Sequence, residues 1–156
     1  MVELTVTLVV VGLVLAATIP SFSSSLIAHR LDGSADAISS DLRLVRARAV
    51  AENTSYILAW YPSLGWYYTI RDENGNGQPD WGSEPYQGPY KFPKGITLRN
   101  STKNPFATNW LVFFPNGSTN VGGGVELKDT KGRKLEVTVL QPSGAVHVSK
   151  TETAQS

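Results

Sequence analysis

The chain opens MVELTVTLVVVGLVLAATIPSF (Met1–Phe22), and the fold turns on what this stretch is for. From Leu4 to Phe22 there are 19 positions without a charged residue. As a helix that run is about 28 Å long, close to the hydrocarbon thickness of a bilayer, so it can span a membrane. One carboxylate, Glu3, stands at its mouth. A cleavable signal peptide carries basic residues ahead of the apolar run and a small-residue cleavage site behind it. Here the only flanking charge is acidic and the run ends in Ile19-Pro20, so cleavage after it is not expected.

Beyond Pro20 and a polar Ser21–Ser25 stretch, apolar residues recur at Leu31, Ala35, Ile38, Leu42, Val45 and Ala49, alternately four and three apart. This is the stripe of an amphipathic helix, with Asp32, Asp36, Asp41, Arg43 and Arg48 off it. The two patterns together predict one helix from the first residues to about Glu52, loosened near Gly12 and Pro20. Its first half is apolar all round and belongs in lipid or among like helices; its second half is apolar on one side and needs a sheet to pack on.

The sheet follows. SYILAWY (Ser55–Tyr61) and GWYYTIR (Gly65–Arg71) are β-branched and aromatic runs separated by Pro62-Ser63-Leu64, which reads as a hairpin. A turn-rich stretch from Asp72 to Gly95 is read as irregular, with Ile96–Arg99 a short strand after it. Strands are then expected at Trp110–Phe114, Val125–Asp129, Arg133–Leu140 and Ala145–Lys150, divided by turns at Pro115-Asn116-Gly117, Thr130-Lys131-Gly132 and Pro142-Ser143-Gly144. The fold class is α+β: a long N-terminal helix, half hydrophobic stem and half amphipathic, packed on an antiparallel β-sheet head. The divisions are 1–22 stem, 23–53 amphipathic half, 54–150 head and 151–156 a polar tail expected to fray.

At 156 residues the chain fits one domain plus an appendage. It has no cysteine, which excludes a disulfide framework and thiolate metal sites. The net charge of +1 hides an asymmetry: residues 1–90 carry five basic and nine acidic side chains, residues 91–156 nine basic and four acidic. The two halves could meet on neighbouring copies, or the basic half could face a polyanion. His29 in the stem helix and His147 in the last strand form no evident nucleophile, base and orienter set, so no enzyme is expected. The aromatics Trp60, Trp66, Tyr67, Tyr68, Trp81 and Trp110 are expected mostly to pack the sheet on the helix. Sequons at Asn53, Asn100 and Asn116 are compatible with an exported surface.

A carboxylate just inside an apolar helix, a glycine part-way, a proline 17 positions after the glutamate and an amphipathic continuation into a β-rich head resemble type IV pilins and type II secretion pseudopilins. ISSDLRLVRARAVAENTSYIL (Ile38–Leu58), FFPNGSTNVGGGVELKD and RKLEVTVLQPSGAVHV are similar to the pseudopilin H and FimT-like subgroup. Glu3 is third here where the family has it fifth, so the chain looks two residues short of the family's mature start. The resemblance implies a structural subunit of a pilus or pseudopilus. It would be held in the bacterial inner membrane before assembly, then in a filament with copies of itself and other pilins in the periplasm or at the cell surface. Glu3, Gly12 and Pro20 become assembly residues: Glu3 pairs with a neighbour's α-amino group, and the glycine and proline let the stem lose helicity as the subunit leaves the bilayer. The other reading of Glu3 is an acid complementing the helix dipole, and that of Gly12 and Pro20 is helix breakers tolerated in a membrane span.

Two further constellations stand out. RDENGNGQPDWGSE (Arg71–Glu84) sets Asp72, Asn74, Asn76, the Gln78 carbonyl and Asp80 at alternate positions, with Glu84 one place late for the closing ligand of an EF-hand-like loop. Calcium is therefore the candidate cofactor, though none is required, and a solvated Asn/Gly hairpin tip is the plainer reading. The basic residues Lys128, Lys131, Arg133 and Lys134 gather about one turn, with Lys150 further on. They are the candidate DNA contacts of an alternative function, a FimT-like minor pilin that captures nucleic acid during uptake, set against a solvated edge or a contact with an acidic neighbour.

Overall fold

The computed structural model describes residues 2–151, without the side chains of residues 5, 12–24 and 151; the rest of the tail read as fraying lies outside the described residues. Helix α1 (Val2–Glu52) is followed by eight strands: β1 (Ser55–Tyr61), β2 (Trp66–Asp72), β3 (Tyr86–Lys91), β4 (Ile96–Asn100), β5 (Trp110–Phe113), β6 (Gly123–Asp129), β7 (Lys134–Leu140) and β8 (Ala145–Thr151). They form two four-stranded antiparallel sheets, not the single sheet expected, in the orders β3-β2-β1-β5 and β4-β6-β7-β8. The chain changes sheet three times, since β4 pairs with β6 while β5 returns to β1. Trp60 on β1 ties the two together by donating its indole N–H to Asn100 on β4 at 2.8 Å.

The main core lies where both sheets meet the second half of α1. Leu31, Ala35, Ile38, Leu42, Val45 and Ala49 are each no more than 3% exposed and pack with Leu58, Trp60, Leu111, Phe113, Leu127 and Val137 among others. Each buried Leu, Ile or Val contributes about 1.5–3 kcal/mol. Ser34 and Ser39 share the buried face because their hydroxyls donate back to the carbonyls of Arg30 (2.7 Å) and Asp36 (3.0 Å). The Tyr67 hydroxyl on β2 donates to Asp41 of α1 at 2.5 Å, and its ring sits against Tyr90 and Phe92. Burial, and then this bond to a carboxylate, push the Tyr67 phenol well above the usual tyrosine range.

The helix ends in a left-handed residue, Asn53 (φ 49°), with the Thr54 N–H donating to the Ala49 carbonyl at 3.2 Å; this is a Schellman-type stop. Further on, Gly144 in the β7–β8 turn has φ 65°, and a Cβ there would lie 2.7 Å from the Gly117 carbonyl oxygen. That same oxygen accepts from the Arg46 guanidinium at 3.0 Å, so helix and two turns converge on one point that only glycine fits.

The irregular stretch expected from Asp72 to Gly95 contains a strand, β3, whose six residues are all exposed. Sequence YQGPYK lacks the β-branched residues of a buried strand and carries Gly88 and Pro89, which are tolerated because β3 is an edge pairing only with β2.

Candidate functional site

The described part of the stem faces no other element of the chain. Val2, Leu4, Val6, Leu8, Val9, Val10 and Val11 are 49–78% exposed. Glu3 in the first turn is exposed too, its carbonyl accepting from the Thr7 hydroxyl at 2.7 Å. Gly12 and Pro20 lie within the bounds of α1, but the surroundings of side chains 12–24 are outside the described residues. Among the described residues no helix is long and apolar enough to cross a membrane; the span read over Leu4–Phe22 falls largely on residues whose side chains are not described. Contiguous exposed apolar surface on this scale marks a region covered by a partner or by lipid.

The Asp72–Glu84 loop brings its six candidate oxygen donors together, but it turns them on itself. Asp72, 2% exposed, accepts from the backbone N–H of Asn76 (3.1 Å) and Gly77 (3.0 Å). Glu84 accepts from the N–H of Glu73 (3.1 Å) and Asp80 (3.4 Å). One Asp80 oxygen receives both the Asn74 amide (2.7 Å) and the Asn76 amide (2.6 Å), while the Asn76 side-chain oxygen takes the Gln78 N–H at 2.7 Å. Among the described residues no three His, Cys, Asp or Glu side chains are placed to hold a metal ion. The loop as folded is a self-bonded cap: its Gly77 carbonyl accepts from the Trp110 indole at 3.1 Å, on the face of the first sheet turned away from α1.

That face carries a second, smaller core of Ile57, Ala59, Ile70 and Val112, with Tyr68 and Trp110 against it. The expectation that the aromatics pack the sheet on the helix therefore divides. Trp60 and Tyr67 point into the main core, whereas Tyr68, Trp81 and Trp110 belong to the opposite face. The signal was present in the period of two along β1 and β2: Trp60 and Tyr67 are cross-strand partners, and Tyr61 and Tyr68 each lie one residue away, on the other side.

The basic turn is partly neutralised. Arg133 donates from Nε to Asp129 at 2.6 Å, and Lys134 lies 3.5 Å from Glu126, which also holds Arg99 at 2.5 Å. Burial pushes the Asp129 carboxyl up, but donors from Arg133 and Lys131 outweigh it and leave the group below its ordinary value. Lys131 is exposed and Lys128 half-buried, facing Lys134 across β6 and β7. His29 on α1 and His147 on β8 are both exposed.

The fold of a helix packed under two antiparallel sheets is similar to that of solved structures over about four-fifths of the chain. The minor pseudopilin EpsH of the type 2 secretion system of Vibrio cholerae is similar with a TM-score of 0.58 at 13% identity, covering 78% of this chain and 97% of that one. The type IV minor pilin FimU of Pseudomonas aeruginosa is similar with a TM-score of 0.54 at 14% identity, covering 80% and 99%. No curated protein matches the chain. The family described as type II transport protein GspH matches residues 34–144, well over half of the sequence, and the chain belongs to that family. The match spans the buried half of α1 and the head through the β7–β8 turn.

Proposed function

We propose that the chain is a structural subunit of a type IV pilus or type II secretion pseudopilus, assembled through the first half of α1 with the heads forming the outer shell. The observation that carries this reading is the row of seven exposed apolar side chains between Val2 and Val11. Such a row is unfavourable in water by about 1.5–3 kcal/mol for each side chain that could be buried. Lipid of the bacterial inner membrane covers it before assembly. Stems of other copies and of other pilins cover it in the filament, in the periplasm or at the cell surface.

Glu3 sets the register. A carboxylate carried into an apolar fibre core costs several kcal/mol unless a cation meets it. The α-amino group of the neighbouring stem is that cation, so a subunit seated one step out leaves a charge uncompensated. Gly12 and Pro20 each weaken the helical ladder, which lets the segment between them lengthen as the subunit leaves the bilayer. Assembly needs no catalysis. DNA capture through Lys128, Lys131, Arg133 and Lys134 has less support, since Arg133 and Lys134 are held by carboxylates of β6.

A photo-crosslinking residue in place of Val9, irradiated in cells that assemble the filament, is expected to join the subunit covalently to a second copy or to another pilin. Filaments that contain the variant and give no cross-link to any pilin would overturn the reading.

A further inference from the structure

The self-bonded loop is fastened to the outer face of the first sheet by the bond from Trp110 to Gly77, and its Trp81 reaches the Tyr61 end of β1. There it leaves an open pocket of about 300 Å³ lined by Tyr61, Leu64, Tyr68, Trp81 and Tyr86. Tyr68 is the hub. Its ring meets Tyr61 at 5.9 Å and 87°, Trp81 at 5.0 Å and 72°, and Tyr86 at 6.0 Å and 74°, while Trp81 meets Tyr86 at 5.6 Å. These edge-to-face contacts hold the rings in place against one another. They nevertheless leave Trp81 46%, Tyr86 52% and Leu64 54% exposed.

The chemistry of the lining narrows the ligand. None of the five side chains carries a charge near neutral pH, so an ionic ligand gains nothing from an opposite charge there. The rings touch edge to face at 5.0–6.0 Å, which leaves no space between them for the caged ammonium group that aromatic boxes take. The lining of phenols, an indole and one leucine suits a small neutral molecule with an apolar face to lie on an aromatic ring. The volume is at the low end of small-molecule pockets, about 300–1,000 Å³.

We infer that this pocket binds a neutral pyranose ring, as one sugar of a polysaccharide. It is separate from the stem, so it stands or falls independently of filament assembly. The probes are chitotetraose and maltotetraose, titrated into the full chain held in a detergent without a sugar headgroup and followed by tryptophan fluorescence and saturation-transfer NMR. Saturable binding to at least one is expected, weakened by about tenfold in Trp81→Ala, the loss of roughly one aromatic stacking partner. Tyr86→Ala is expected to weaken it as well. Tyr90→Ala is expected to leave it unchanged, since Tyr90 is outside the lining and stacks on Tyr67 at 5.1 Å, toward the main core. Trp81 lies on a loop surface, and an unchanged melting temperature for Trp81→Ala shows that the variant is folded. No saturable binding by either sugar, equal binding by Trp81→Ala, or saturation of the same pocket by a proline-rich peptide but neither sugar would overturn the inference.

Discussion

The two halves of α1 are one continuous helix with opposite relations to the rest of the molecule. From Leu31 to Ala49 every fourth or third residue disappears beneath the two sheets, none more than 3% exposed. From Val2 to Val11 the apolar residues face outward, at least 49% exposed among the described residues. The difference separates two kinds of stability. The second half is held by the head and holds it; the apolar side chains described between Val2 and Val11 stay exposed in the single chain.

The largest effect that tests this contrast is on the core. Ile38→Ala should lower the unfolding free energy by about 2–5 kcal/mol in urea titration, the range for emptying a buried aliphatic site. Val9→Ala should change it by no more than about 0.5 kcal/mol, as for a surface position. Equal losses would mean that the stem packs on its own head and the contrast is wrong.

The polar seam between α1 and the first sheet comes next. Tyr67→Phe removes a hydrogen bond to a carboxylate, worth about 1.5–3 kcal/mol. The phenol is raised in the folded state, so its contribution is complete below the unfolded value near 10 and is lost as the pH climbs toward the folded one. Thermal melting from pH 8 to 11 should therefore fall more steeply for the parent than for Tyr67→Phe.

A smaller effect sharpens the picture at the far end of the helix. Gly144→Ala and Gly65→Ala both place a side chain at φ 65°, which costs about 1–2 kcal/mol from the backbone alone. Only at Gly144 does the new methyl strike another segment, so Gly144→Ala should be the more destabilising of the two by urea titration. The smallest effect expected concerns the Asp72–Glu84 loop, whose carboxylates are already satisfied by its own N–H groups. Calcium at millimolar concentration should shift the melting temperature by less than about 1 °C, because an ion that does not bind the native state adds nothing to it. A larger upward shift would show that the loop opens to take the ion.

The buried half of α1 was legible residue by residue, because a period of 3.6 names the face as well as the helix. Most strand ends fell within one or two residues for a similar reason. Strand partners were not legible. The departure of β4 from the first sheet rests on pairings between distant segments, which no local pattern records. The near-continuous apolar run YILAW (Tyr56–Trp60) did carry a clue, since a strand apolar on both faces implies a core on each side, as its burial shows. Strand β3 escaped because it is held only by β2 and offers no apolar face. At the candidate sites the residue types were readable and their commitments were not. Asp129 and Arg133 stand four apart in sequence, a spacing that signals an ion pair on a helix and not across a turn, so only the structure shows the pair that takes Arg133 from the basic cluster. The approach of Trp81 to Tyr61, Tyr68 and Tyr86 depends on a loop folding back over the sheet, and only the structure brings those rings together.

The central claim is that the stem is satisfied by neighbouring subunits and that Glu3 sets their register. It is tested most directly by assembling Glu3→Gln beside the parent and measuring polymer yield together with the melting temperature of the head. Since Glu3 is exposed in the single chain, the account predicts an unchanged melting temperature and a large loss of polymer. Polymer formed by the glutamine variant in the same yield as the parent would contradict it.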